Sequence, residues 1–135
     1  MQKKRRLVVL SDLWGWERVD WLTYYLDQLH SMYDITCYDS CSLGNVSTTD
    51  RNEATLHAQF MDGGLETAVS RLLELESAIA SQDNRPVDVL AFSIGGTIAW
   101  KACLSGLEAH RIFALSSTRL RYETVLPAAG IYLYY

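Results

Sequence analysis

The feature that most constrains the fold of this chain is a short apolar run that is followed by a serine and, two residues later, by a pair of glycines. Residues 87–92 read Val-Asp-Val-Leu-Ala-Phe and predict a buried strand, after which Ser93, Gly95 and Gly96 open a helix-like pattern. A serine at such a strand-to-helix turn has strained backbone geometry, so the residues two before and two after it must be small. Ala91 and Gly95 meet that requirement.

The same turn favours a reactive hydroxyl at Ser93. A helix that begins at Gly95 directs unsatisfied N–H groups and the positive end of its dipole toward the serine oxygen, where they stabilise negative charge. The backbone N–H of Ile94 is one candidate oxyanion donor. A serine between a strand and a helix is also a common helix cap. The pattern therefore leaves a catalytic and a structural role open.

The segment 91–95, Ala-Phe-Ser-Ile-Gly, resembles the G-x-S-x-G nucleophile turn of the α/β-hydrolase family, with alanine at the first small position. A second match follows the apolar run 7–11, where residues 12–15 read Asp-Leu-Trp-Gly. The equivalent family loop often reads His-Gly-x-Gly, and the resemblance implies that the Trp14 N–H completes the oxyanion hole. Asp12 replaces the histidine of that pattern and Leu13 its first glycine.

The resemblance implies a serine hydrolase of the esterase or thioesterase type that acts on a small ester-like molecule. Ser93 is the implied nucleophile, and no metal or cofactor is expected. Asp12 and Arg119 each follow a predicted strand and are expected at the substrate rim, where an arginine is suited to bind an anionic group. Arginines at protein surfaces are more often simply solvated.

In this family the acid and the histidine follow the serine along the chain. His110 is the histidine that follows Ser93, and it precedes a predicted strand, which places it at the opposite edge of a parallel sheet. His57 is the histidine closest to the predicted rim, but we interpret it as a surface residue at the start of a helix. Residues 1–135 thus resemble the N-terminal two-thirds of a small hydrolase in one domain that lacks the acid and histidine loops. We expect this chain alone to be weakly active or inactive.

Five strand-like runs alternate with helical patterns. This order predicts an α/β fold of three layers, with a doubly wound, mainly parallel five-stranded sheet and flavodoxin-like strand order. The predicted strands are about 7–11, 35–39, 87–92, 111–116 and 131–135, and the predicted helices are about 17–30, 66–81 and 95–106. The second helix has an alternative start near Thr55, with a break at Gly63-Gly64.

Composition excludes several classes of protein. With 49% hydrophobic residues, 21% charged residues and a formal net charge of −4, the sequence is typical of a globular domain with no basic stripe for nucleic acid. The basic run 3–6 is interpreted as a solvated tail. No run of eighteen apolar residues or signal-peptide core is present, so we expect a cytoplasmic protein without membrane contact. Cys37, Cys41 and Cys103 lack metal-site spacing and are expected to be buried thiols.

Two non-enzymatic hypotheses remain open at this stage. The first is a module that binds a small anionic ligand or a partner at the upper sheet edge, although residues 12–16 match a glycine-rich phosphate loop poorly. The second rests on the last predicted strand, Ile131 to Tyr135, which is aromatic, uncharged and at an edge of the sheet. Such a strand predicts pairing with another chain and thus a homo-oligomer.

Overall fold

A computed structural model of the chain describes residues 4–16 and 20–135. Its five strands form one sheet in the order β2-β1-β3-β4-β5, and every neighbouring pair is parallel. This confirms the predicted α/β class and strand order. The strands are β1 Arg5–Leu10, β2 Tyr33–Tyr38, β3 Val87–Phe92, β4 Arg111–Leu115 and β5 Gly130–Tyr134.

Helices occupy both sides of the sheet. They are α1 Asp20–Leu29, α2 Ser40–Leu43, α3 Glu53–Gln59, α4 Leu65–Ala80 and α5 Ile94–Leu104, with a short 3-10 helix at Thr118–Tyr122. The predicted start of the first helix, Glu17, lies outside the described residues. The expected break near Gly63 is confirmed, because Asp62 and Gly63 have non-helical backbone angles between α3 and α4. The sequence analysis missed α2, whose four residues are too few to carry a periodic pattern.

The main hydrophobic core lies between the sheet and the helices α4 and α5. Val8, Val89 and Ile112 project from adjacent strands into this core, where they join Leu72 of α4 and Ile98 of α5, all 0% exposed. Alternate residues of the same strands point to the other face, where Leu7 and Val9 pack with Leu22 of α1. The sheet is therefore the middle of three layers.

The described residues cover only part of the face that carries α1. Beyond α1, an apolar groove of about 360 Å³ is lined by residues that include Leu90, Phe113, Leu115 and Tyr134. The Phe113 and Tyr132 rings stack there with their centroids 4.9 Å apart. Tyr132 and Tyr134 remain 45% and 52% exposed. The outer strands β4 and β5 thus present aromatic surface to solvent.

The basic run near the N terminus is not a solvated tail, and that interpretation is wrong. Arg5 and Arg6 belong to β1, and Arg6 is only 4% exposed. Its guanidinium donates to both carboxylate oxygens of Glu76 on α4, at 2.8 and 3.2 Å. Tyr38 also donates its hydroxyl to Glu76, at 2.5 Å. A buried ion pair therefore joins β1 to α4. Lys3 lies outside the described residues.

The cysteine prediction is correct for one residue of three. Cys41 is buried, Cys103 is half-buried, and Cys37 is exposed although it lies in β2. Cys37 is exposed because β2 is an edge strand. All three carry free thiols.

Among the described helices, none combines the length and the hydropathy that crossing a lipid bilayer would require.

Candidate functional site

Ser93 is the single residue between the last residue of β3, Phe92, and the first residue of α5, Ile94. Its backbone angles are φ 52° and ψ −119°, a conformation that costs a non-glycine residue free energy and persists only where surrounding contacts enforce it. The side chain is half-buried, and within the described residues its hydroxyl has no hydrogen-bond partner. The turn thus holds one serine hydroxyl free of competing contacts.

The contacts that enforce this turn come mainly from the end of β4. The Ser93 N–H donates to the Leu115 carbonyl at 2.8 Å. The Ser93 carbonyl accepts from the hydroxyl of Ser117 at 2.9 Å and from the N–H of Gly96 at 3.0 Å. Three hydrogen bonds therefore fix both backbone polar groups of the strained residue. The sequence analysis did not identify Ser117, because a serine in a loop carries no signal of its distant partner.

The two glycines after the serine allow close approach of backbones. A Cβ placed on Gly95 would lie 2.6 Å from the carbonyl oxygen of Ser11, at the end of β1. A Cβ on Gly96 would lie 1.9 Å from the Ser117 hydroxyl oxygen. Ala91, which is fully buried in β3, pairs with Leu10 on one side and Ala114 on the other. Small residues at these positions thus let α5 begin directly over the sheet edge.

The end of β1 is fixed by a pair of buried serines. Ser40, the first residue of α2, donates its N–H to the Ser11 hydroxyl at 2.7 Å and its own hydroxyl to the Ser11 carbonyl at 2.6 Å. Both residues are 0% exposed. These bonds hold the loop that follows β1 beside the start of α5.

A cleft of about 160 Å³ opens beside Ser93. Ser93 lines it together with Ile94 and Thr97 of α5. Its other lining residues come from three further parts of the chain: Leu13, Glu53, His57, Thr118 and Arg119. Arg119 is half-buried, and its guanidinium lies 5.6 Å from the centre of the Tyr122 ring. Of the two residues that we expected at the rim, Arg119 lines this cleft.

Asp12 and Trp14 are hydrogen-bonded to each other and do not line the cleft. The Trp14 N–H donates to Asp12 Oδ1 at 2.9 Å. Burial raises the pKa of Asp12, and the hydrogen bond from Trp14 opposes that rise. The implied role of Trp14 as an oxyanion donor therefore requires that this bond break or be shared. Leu13, the residue between them, does line the cleft.

Of the three histidines, two lie at the edge of the sheet opposite Ser93 and one lies beside Ser93. The N–H of His110 donates to the carbonyl of Val87 at the start of β3, and the carbonyl of His30 accepts from Lys4. Both residues thus lie at the edge opposite Ser93, as predicted for His110. His57 is an exposed residue of α3 and lines the cleft beside Ser93. The sequence analysis expected His57 closest to the rim, at the surface and at the start of a helix. It is at the surface and beside the cleft, but it lies in the last turn of α3 rather than at its start.

Cys41 contacts the loop that follows β1, and it is not suited to be a nucleophile. Its thiol donates to the Leu13 carbonyl at 3.1 Å, and burial raises its pKa to about 11. A thiol with such a pKa stays protonated at neutral pH. Among the described residues, no group of three His, Cys, Asp or Glu side chains is placed to hold a metal ion.

Comparisons with known proteins support the fold. No protein-family model matches the chain, and no curated protein matches it. Among solved structures, the chain is similar to a protein from Xanthomonas campestris pv. campestris that is described as a proposed hydrolase of the alpha/beta superfamily. The two share 17% sequence identity with a TM-score of 0.55, over 83% of this chain and 58% of that one. The chain therefore spans less than two thirds of that structure, and the likeness shows the fold alone.

Proposed function

We propose that this chain carries the nucleophile and part of the oxyanion hole of a serine hydrolase that cleaves ester or thioester bonds. The observation that carries the proposal is the backbone of Ser93, held at φ 52° at the head of α5 with its side chain lining a cleft. Strained backbone geometry at a polar residue that lines a cleft is typical of functional sites. The α/β-hydrolase-like fold supports the same class of reaction by analogy.

The proposed reaction begins when Ser93 Oγ attacks the carbonyl carbon of the substrate. The electron pair of the carbonyl bond moves to its oxygen, and the Ile94 N–H at the head of α5 stabilises the resulting oxyanion. Collapse of this intermediate expels the alcohol or thiol and leaves an acyl group on Ser93. Water then releases the acyl group as a carboxylic acid.

We infer that Arg119 selects substrates with an anionic group. Arg119 lines the cleft, and no carboxylate among the described residues forms an ion pair with its guanidinium. A guanidinium binds carboxylate or phosphate groups through two parallel hydrogen bonds. The small cleft volume, about 160 Å³, favours a short acyl group. Asp12 remains a weaker rim candidate, because it is bonded to Trp14.

A fluorophosphonate probe tests the proposed nucleophile. We expect the folded chain to be labelled at Ser93, as mapped by mass spectrometry of the proteolysed protein. Ser93→Ala should abolish labelling, whereas Ser105→Ala, a change at an exposed serine that follows α5, should not. Labelling that is equal in the wild type and in Ser93→Ala, or absent from both, would overturn the proposal.

A second candidate function is association with another copy of the chain through β5. The observation that favours it is the exposed aromatic strand beside the uncovered groove. Tyr132, Tyr134 and Tyr135 are 45%, 52% and 76% exposed. An edge strand offers unpaired backbone groups to a second strand, and apolar side chains next to it add buried area. This function does not require Ser93 to react, so it remains possible if labelling fails.

A further inference from the structure

The cleft beside Ser93 contains a histidine that precedes the serine along the chain. His57 of α3 lines this cleft together with Ser93 and Ile94. The imidazole is exposed, and within the described residues it has no hydrogen-bond partner. No existing contact must therefore break before it can accept a proton. Hydrogen bonds between catalytic groups are often long without substrate and tighten only in the substrate complex.

A carboxylate lies one helical turn before this histidine. Glu53 and His57 are separated by four residues in α3, a spacing that places both side chains on the same face of a helix. Both of them line the cleft. The arrangement therefore brings together a hydroxyl, an imidazole and a carboxylate, which are the three groups that activate a serine in hydrolases. The chain order, acid then histidine then serine, differs from that of the family.

Two charged side chains share the cleft with His57. Glu53 and Arg119 are the other charged residues among those that line it. Glu53 belongs to the same helix as His57, whereas Arg119 comes from the short 3-10 helix after β4.

We propose that His57 is the general base that takes the proton of Ser93 Oγ, and that Glu53 positions it. This inference rests on the proposed function. As the bond forms between Ser93 Oγ and the substrate carbon, the hydroxyl proton moves to an imidazole nitrogen of His57. The imidazolium then donates that proton to the departing alcohol or thiol. In the second half of the reaction His57 takes a proton from water, and Ser93 regains its proton as the acyl group leaves.

The rate of fluorophosphonate labelling as a function of pH tests this assignment. In that reaction a bond forms between Ser93 Oγ and phosphorus, fluoride leaves, and the serine proton moves to the base. Because histidine side chains lose their proton between about pH 5 and 8, we expect the wild-type rate to rise through this range. His57→Gln should remove that rise and lower the rate at pH 8 by roughly 100-fold or more.

Matched variants distinguish a role of His57 as the base from a general effect of replacing a histidine. His110→Gln changes an exposed histidine at the opposite edge of the sheet and should leave both the rate and its pH profile unchanged. Glu53→Gln should lower the rate less than His57→Gln does, because Glu53 acts through the imidazole. Added imidazole should restore labelling of His57→Ala. Circular dichroism of each variant checks that it is folded.

Two results would overturn the inference. The first leaves the proposed role of Ser93 intact, and the second contradicts that role as well. If His57→Gln is labelled at Ser93 with the wild-type rate and pH profile, another group is the base, and Ser93 remains the nucleophile. If the wild type is not labelled at Ser93 at any pH, the proposed function fails together with the inference.

Discussion

Gly96 lies where the first turn of α5 meets the end of β4, and it belongs to the support of Ser93 rather than to the cleft. The Ser117 hydroxyl occupies the space that a side chain on Gly96 would need, and it uses that position to donate to the Ser93 carbonyl at 2.9 Å. The absence of a side chain at Gly96 thus allows the hydrogen bond that fixes the strained backbone of Ser93. The sequence motif predicted small residues here, but it could not identify the atom that excludes larger ones.

We expect Gly96→Ala to lower the free energy of unfolding by about 1–3 kcal/mol, the usual cost of overpacking a tight site. The added Cβ would lie 1.9 Å from the Ser117 hydroxyl oxygen and 2.7 Å from its Cβ. Urea denaturation measures this change. Gly130→Ala is the matched control, since its nearest contact would be 3.4 Å from Arg111 Cγ. Equal stabilities of the two variants would contradict this account of Gly96.

At the scale of secondary-structure elements, the contact between β1 and α4 depends on charge as well as on apolar packing. Arg6 and Glu76 are 4% and 3% exposed, and Tyr38 of β2 shares the same carboxylate. The hydrogen bond to Glu76 raises the pKa of Arg6, so the guanidinium stays protonated. Composition suggested a solvated basic tail because lysine and arginine are rarely buried. Burial is possible here because α4 places a glutamate opposite the strand.

Removal of Glu76 should leave the buried Arg6 cation without its partner. We expect Glu76→Ala to lower the free energy of unfolding by about 3–5 kcal/mol. Glu74→Ala, at an exposed position in the same helix, should have little effect. The double variant Arg6→Met, Glu76→Met should be more stable than Glu76→Ala, because it leaves no buried charge. Urea denaturation at neutral pH compares the four proteins, and a loss in Glu76→Ala no larger than in Glu74→Ala would refute the argument.

At the scale of the whole molecule, the two faces of the sheet are covered unequally. Within the described residues, α4 and α5 enclose one face, whereas on the other face an apolar groove of about 360 Å³ lies beside α1, over β3 and β4. Exposed apolar surface of this kind marks interaction sites or causes aggregation. The aromatic edge strand β5 borders the same groove, because Tyr134 lines it. The exposed side of β5 and the apolar groove therefore form one continuous surface.

We expect the chain to associate with itself through this surface. Tyr134→Lys places a charge at the wall of the groove and should shift sedimentation velocity profiles from a dimer toward a monomer. Tyr24→Lys is the control, because Tyr24 is 67% exposed on α1 and does not line the groove. A wild-type chain that sediments as a monomer at all concentrations would exclude self-association.

The sequence by itself determined the order of the five strands and of the longer helices, the parallel sheet and the turn at Ser93. These depend on local signals, namely apolar periodicity, small residues at fixed spacing and right-handed crossovers. Only the tertiary structure decided that Ser117 supports the turn, that Glu76 neutralises Arg6 and that His57 reaches the cleft beside Ser93. The physical reason is distance along the chain, since each of these contacts joins residues at least 24 positions apart. The periodic sequence pattern of one helix or strand does not indicate which residue of another element will contact it.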